Sequence, residues 1–369
     1  MFIRLVLISL FCFSFVFAQQ PATENNLFKF CWQTEAAANA SIQLSANDNK
    51  IFVPLADGSL EALEVTSGKA LWRANLGGEI IGDISVNSNY IFVASQSAKN
   101  SSEQNSPMII VRALSLLTGV TMWQKQFLSI ERVSIVNRNE IVLIALRDEK
   151  TNQKVLALSA QNGQTLWQQN IASPLTSKLS IAENVVWLAT KNLTLLSLKL
   201  ADGSLLSQFK IPHAATQQIV LTPDSIIFGD PAGFVSAMRL TDQKILWTLR
   251  LGGAAQDILL TADKILISSY DNFIYFHKLR SGKRVWRRRL ASRPLGVSLL
   301  SDKLAAVTVT GESNATVIDL KNGKSIDLFG LGENNAALGA PLLNRRYLLV
   351  LTENGIHTFA DRSIICQSS

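Results

Sequence analysis

The sequence predicts an all-β fold: an eight-bladed β-propeller of four-stranded antiparallel blades, its last blade closed by an N-terminal strand. Three observations predict it. A Gly-x-x-x-Trp turn recurs along the chain, the apolar strand-like segments sort into eight sets, and one surplus N-terminal strand matches one strand missing at the C-terminal end. Recurrence near forty residues is the signature of a ring of small sheets that cannot bury their own faces singly.

The clearest copies of the repeat are Leu60–Trp72, Val111–Trp123 and Val155–Trp167. Each is an apolar strand, a turn carrying glycine, and a second strand whose Trp lies four residues past that glycine. They pair Gly68 with Trp72, Gly119 with Trp123 and Gly163 with Trp167. Later copies decay: Gly203 leads to Ser207, Gln243 to Trp247, Gly282 to Trp286 and Gly323 to Asp327. With Trp32 at the front, equivalent positions are separated by 40, 51, 44, 40, 40, 39 and 41 residues. Glycine suits the turn because it accepts positive φ. A Trp there can bury its ring between neighbouring sheets while its N–H finds an acceptor.

The other strands follow in order. First strands are predicted at 41–45, 83–87, 132–137, 178–182, 217–222, 256–261, 296–301 and 339–344, and second strands begin at Ile51, Tyr90, Ile141, Val185, Ile226, Ile265, Leu304 and Tyr347. Third strands begin near Leu60, Ile109, Val155, Leu195, Phe234, Ile274, Ala315 and Gly355. Fourth strands in register number seven, and Leu27–Trp32 has the character to supply the eighth. Closing the ring in this way removes the exposed edges that an open end would leave. Seven blades with a separate tail is the alternative.

The first residues set the compartment. Arg4, the apolar run Leu5–Phe17 and the Val16-Phe17-Ala18 cleavage pattern predict a signal peptide over 1–18, leaving 19–369 as one propeller domain. The run is short for a transmembrane helix, and Cys12, preceded by Phe11, lacks the small residues of a lipidation site. A periplasmic or secreted protein is expected. Losing Arg4 takes the net charge from +7 to +6, compatible with acidic partners or lipid headgroups. Export disfavours nucleic acid. Four Asn-x-Ser/Thr tripeptides, at Asn39, Asn100, Asn192 and Asn314, matter only in a eukaryotic host. Two cysteines remain, Cys31 in the strand assigned to the closing blade and Cys366 just past that blade's last C-terminal strand. An even pair in an exported chain predicts a disulfide there; two buried free thiols are the alternative.

These segments resemble the pyrroloquinoline-quinone-like propeller repeat, whose usual core is Ala-Leu-Asp-x-x-Thr-Gly-x-x-x-Trp, and the resemblance covers essentially the whole mature chain. In repeat and blade count the chain is also similar to the eight-bladed exported propellers of outer-membrane assembly, which are not enzymes. The resemblance implies the fold firmly, but the repeat serves quinoprotein dehydrogenases and non-catalytic proteins alike. The family's Asp position holds Glu64, Ser115, Ser159, Lys199, Arg239, Lys278 and Asp319, and the Cys-Cys pair common in the dehydrogenases is absent. No carboxylate and amide set stands out that would hold the calcium ion those enzymes use. The expectation is therefore a non-enzymatic scaffold for protein–protein interaction, without cofactor and monomeric, with a protein partner in the cell envelope. The alternatives are a quinone-dependent oxidoreductase and a carbohydrate- or small-molecule-binding propeller.

Other chemistry is sparse. His213, His277 and His357 lie in different repeats without ligand spacing, and hydrolase, zinc-protease and phosphate-loop motifs are missing. The densest charge feature runs from Lys278 to Arg293, with Lys278, Arg280, Lys283, Arg284, Arg287, Arg288, Arg289 and Arg293 and no acidic residue. Strand alternation sets Arg287 and Arg289 opposite Arg288. The run reads either as a charged edge that discourages edge-to-edge pairing or as a docking patch, centred on Arg284, Arg287, Arg288, Arg289 and Arg293, for an acidic protein or an anionic membrane surface. The Ser/Asn-rich stretch Gln96 to Pro107 reads as a loop inserted into the second repeat.

Overall fold

The structure is a computed structural model that describes residues 27–35, 43–97, 108–129, 133–147 and 153–366. The expected signal peptide, Asn39 and Asn100, and most of the inserted loop of the second repeat lie outside them. The described residues form eight antiparallel sheets. Numbered from the first complete sheet, inner to outer strand, blade 1 is Ser45–Asn47, Lys50–Pro54, Ser59–Glu64 and Ala70–Asn75. Blade 4 is Ser180–Ala182, Val185–Thr190, Thr194–Lys199 and Leu205–Lys210, blade 5 runs from Thr216 to Arg250, and blade 6 is Ala255–Leu260, Lys264–Ser269, Phe273–Lys278 and Arg284–Arg289. Blade 7 ends with Lys324–Gly330, and blade 8 combines Leu342–Asn344, Tyr347–Thr352 and Gly355–Asp361 with the N-terminal strand Phe28–Thr34 on its outside. Innermost strands touch their neighbours all the way round and back to blade 1, so the ring is closed.

Burial follows position in the blade. Second strands such as Ser225–Gly229 and Tyr347–Thr352 are buried at every residue, because both faces meet a neighbouring sheet. Outer strands such as Ala70–Asn75 and Thr121–Leu128 alternate, after their first residue, between exposed and half-buried positions. Blade 2 departs from the sequence expectation. Its inner strand is split into Gly78–Ile80 and Ser85–Val86, both on Tyr90–Ser97. Between them Gly82 takes φ +80° where the carbonyl of Val133 comes so close that a Cβ would lie 2.0 Å from its oxygen. A strand cannot run straight through that point. Gln96 and Ser97 belong to the second strand of this blade rather than to a loop.

The repeated Trp and Gly serve different blades. The indole of Trp32 in blade 8 lies on the turn Gly68 of blade 1, Trp72 on Gly119, Trp123 on Gly163, Trp167 on Gly203, Trp247 on Gly282 and Trp286 on Gly323. At each of these six joints a glycine Cβ would sit 2.4 to 2.8 Å from the ring, and φ is +64° to +72°. Each indole N–H donates to the carbonyl three residues before that glycine, at 2.8 to 3.3 Å. A large apolar ring is thus buried with its one polar group satisfied.

The two remaining joints explain the decayed repeats. Where blade 4 has Ser207 in place of Trp, the turn of blade 5 has Gln243 in place of Gly, at φ +59°. Without an indole overhead, the position has room for a side chain. Register shows where the bulk went. In blade 1 the cross-strand row is Phe52, Ala62, Trp72 and in blade 5 it is Ile227, Ala237, Trp247, but in blade 4 it is Trp187, Ser197, Ser207. The Trp has moved inward to the second strand, where Trp187 packs with Phe209 and Phe228 between blades 4 and 5. Ser197 and Ser207 share a hydrogen bond of 2.5 Å behind it. At the joint of blades 7 and 8, blade 8 has no hairpin turn because its outer strand comes from the N-terminus. Asp327 stands at the Trp position and accepts the amide of Leu27, the residue just before that strand, at 2.7 Å.

The closing blade carries a covalent link. Cys31 and Cys366 form a disulfide with Cα atoms 5.2 Å apart. Cys31 is the bulged residue between the pairs Phe30–Phe359 and Trp32–Thr358.

Candidate interaction surface

One end of the ring opens into a polar funnel. A cavity of about 730 Å³ is lined by Gln43, Asp83, Arg147, Lys178, Thr216 and Tyr270 among others, and a smaller one beside it by Gln256 and Asp257. Lys178 reaches from blade 4 to Asp83 of blade 2 at 2.9 Å. Asp257 accepts the Ser268 hydroxyl at 2.9 Å and the Val297 amide at 3.2 Å, and burial pushes its carboxyl above the usual range. These residues do not fit a calcium–quinone site. A calcium ion takes six to eight hard oxygen ligands, whereas one funnel carboxylate is paired with Lys178 and the other is buried and already engaged by Ser268 and Val297. Among the described residues no group of three or more His, Cys, Asp or Glu stands close enough to hold a metal ion.

The three histidines are structural. His277 is buried, donates Nδ1–H to the Gly282 carbonyl at 2.7 Å, and has its pKa lowered by burial. His357 is buried, with Nε2 accepting from Asn335 at 2.9 Å and its pKa lowered for the same reason. His213, in the link into blade 5, completes a row that the sequence did not reveal. Its Nε2 lies 2.7 Å from Ser236 Oγ, and its Nδ1 lies 3.1 Å from the Ala214 carbonyl and 3.6 Å from Asp230. The composition is that of an acyl-transfer triad. Ser236, however, is 0% exposed and also bonded to Thr248 at 2.9 Å, so no substrate carbonyl can reach it. No short motif joins residues 213, 230 and 236, and the row is a polar filling of the joint that lacks a docked indole.

The outer strands carry the accessible chemistry. Among the described residues each is hydrogen-bonded on one side only, which leaves eight free sheet edges on the rim. On blade 4 the edge is Leu205-Leu-Ser-Gln-Phe-Lys210, where Leu205 and Leu206 are both 52% exposed. A small cleft beside it is lined by Gln169, Asn170, Thr190, Asn192, Leu205 and Gln208. On blade 6 the edge is Arg284-Val-Trp-Arg-Arg-Arg289, exposed at every residue but Trp286. The Arg287 guanidinium lies over the ring of Phe273 at 5.3 Å, and Arg293 lies over Tyr270 at 4.9 Å. Arg287 pairs with Tyr275 and Arg289 with Phe273, opposite in face to Arg288 beside Ile274.

A closed ring of eight blades built on these glycine turns is a propeller of the pyrroloquinoline-quinone-like repeat class. A family model described as outer membrane protein assembly factor BamB matches residues 29–249. The chain belongs to that family. It is 21% identical over 245 residues to the outer membrane protein assembly factor BamB of Moranella endobia (strain PCIT), covering 64% of this chain and 61% of that protein, so it spans about three-fifths of that relative's length. Among solved structures, BamB from Moraxella catarrhalis superposes with a TM-score of 0.67 at 13% identity, over 90% of this chain and 97% of that one. The quinohemoprotein alcohol dehydrogenase of Comamonas testosteroni gives 0.70 at 9% identity, over 93% and 78%, and the computationally designed Ika8 protein gives 0.71 at 12%, over 90% and 98%. An oxidoreductase and a designed protein share the ring equally well, so these likenesses speak for the fold and not for an activity.

Proposed function

We propose that this chain is a non-catalytic scaffold of the bacterial cell envelope that works in the assembly of outer-membrane proteins by holding a protein partner at its rim. Membership of the BamB family supports the process, and the expected signal peptide supports a periplasmic location. The observation that carries the mode of binding is the edge of blade 4. Its backbone is unpaired on one side, its first two side chains are exposed leucines, and it bears no charge before Lys210. A partner strand can add to such an edge through main-chain hydrogen bonds, with alternate side chains choosing the partner.

The donor set of the funnel supports the non-catalytic half of the reading. Crosslinking from position 206 in the native envelope, followed by identification of what is captured, tests the whole. An outer-membrane assembly factor captured from position 206 of the otherwise native edge and lost when Leu205→Arg is added is the expected result. Capture of a glycan alone, or quinone- and calcium-dependent alcohol oxidation by the purified chain, overturns it.

A further inference from the structure

The basic run of blade 6 has a chemistry that partner binding at blade 4 does not use. Several surface cations elsewhere are neutralised by neighbours: Arg73 by Asp57, Lys199 by Asp202, Arg239 and Lys244 by Asp242, Arg345 by Asp48 and Arg346 by Asp361. Among the described residues, Lys278, Arg280, Lys283, Arg284, Arg287, Arg288, Arg289 and Arg293 are all exposed, and none takes part in an ion pair. A carboxylate does stand near, that of Asp271, but it is engaged by the Tyr275 hydroxyl at 2.5 Å, the Gly252 amide at 2.8 Å and the Phe273 amide at 3.1 Å.

Protection of a sheet edge does not explain the run. The outer strands of blades 1, 3, 4 and 5 read ALWRAN, TLWQQNI, LLSQFK and ILWTLR, with one basic residue or none, and they face solvent with the same free backbone. An edge that needs no more than one charge on these blades carries four arginines on blade 6.

The geometry points to a phosphate-bearing surface. Arginine, not lysine, fills the strand itself, and a guanidinium grips phosphate through two parallel hydrogen bonds. The ring of Phe273 lies under Arg287 and holds its guanidinium plane, whereas Arg293, in the link to blade 7, lies over Tyr270 at the funnel and adds charge beside the ridge rather than on it. Residues two apart on a strand stand about 7 Å from each other, so Arg287 and Arg289 present one row and Arg288 the other side of the same ridge. A ridge on an outer rim encloses no small ligand, yet it can lie along a dense, repeating array of anions with both rows in contact. Val285, 41% exposed between Arg284 and Trp286, adds an apolar tip at the same level. We propose that the outer edge of blade 6 docks the propeller on an anionic lipid surface by binding headgroup phosphates, independently of the blade 4 edge.

Flotation of the full mature chain with phosphatidylcholine vesicles, with and without a third of phosphatidylglycerol, tests this. Binding is expected with the anionic lipid alone, and it is lost at high salt. A basic residue near an anionic membrane is worth roughly fivefold in affinity, so Arg287→Ser/Arg288→Ser/Arg289→Ser should weaken binding about a hundredfold. The triple Lys variant retains most of it. Lys303→Ser/Lys321→Ser/Lys324→Ser removes the same charge from exposed positions on blade 7 and should change it little. All variants are checked for native circular dichroism, and the replaced side chains are exposed. Equal vesicle binding by the serine variant, equal loss in the lysine control, or wild-type protein that ignores anionic vesicles at low salt overturns the proposal. So does loss of an acidic protein from envelope crosslinks with vesicle binding unchanged.

Discussion

The turn glycine is under two constraints that separate experimentally. Gly119 has φ +70°, and a Cβ there would lie 2.4 Å from Trp72 Cε3. Gly119→Ala should cost about 3 kcal/mol, from left-handed backbone strain together with overpacking, read as a lower urea midpoint. Gln243 occupies the same turn position at φ +59° with Ser207 opposite. Gln243→Gly therefore relieves strain without opening a packed site and should stabilise by about 1 kcal/mol. Opposite signs at equivalent positions are the mark of the indole overhead. The sequence displayed the Gly and the Trp but joined them within a repeat. Their contact runs between repeats, from Trp72 to Gly119, and spacing along the chain carries no trace of it. His277 adds a pH effect. Its unfolded form titrates near 6.5, whereas burial lowers the folded pKa of both His277 and His357. As pH falls through 6.5 the unfolded chain binds protons that the native state refuses, so stability drops. Thermal melting between pH 7 and 5 should show this fall, and His277→Asn, which keeps a donor for the Gly282 carbonyl, should make the slope shallower.

At the scale of the blade, strand number and order were legible because each strand has its own hydrophobic run and each turn its punctuation. What stayed hidden was compensation. Trp187 sits on a second strand, outside the repeated motif, and reads in the sequence as one more apolar residue of Val185–Thr190. Its place opposite Ser197 and Ser207 shows that blade 4 holds its joint with blade 5 by another route. Trp187→Ala should then cost 3–5 kcal/mol, the usual range for deleting a buried Trp. Hydrogen exchange should quicken chiefly in blades 4 and 5, whose shared core contains Trp187, Phe209, Ile226 and Phe228. Exchange that quickens evenly round the ring would mean that this joint has no local weakness. The arginine edge of blade 6 shows the converse. Its composition was plain in the sequence, but the rings under Arg287 and Arg293 depend on strand register and on the loop carrying Tyr270, which composition does not encode.

For the whole molecule the decisive contact is the one between its two ends. A ring of blades has no terminus to fray only while the N-terminal strand stays on Gly355–Asp361, and three features hold it there. Asp327 caps the amide of Leu27, Trp32 is buried on Gly68 of blade 1, and Cys31 is bonded to Cys366. The disulfide closes a loop of 335 residues. In the chain-entropy treatment such a crosslink restricts the unfolded state by about 5 to 6 kcal/mol. Cys31→Ser/Cys366→Ser, or reduction of the native chain, should therefore lower the urea midpoint substantially. The N-terminal strand is an edge strand paired on one side, so loss of the crosslink should first release that strand and expose Trp32, detectable as a red shift of its emission below the global transition. Loss of blade 8 breaks the ring at the joints with blades 7 and 1 together, because its outer strand is shared between the ends of the chain. Unfolding of the reduced protein should then spread from this seam, with exchange protection lost first in Phe28–Thr34, next in Tyr347–Asp361, and last in the blades opposite. Uniform loss of protection would instead mean that the crosslink acts on the unfolded chain alone and that the seam is no weaker than any other joint.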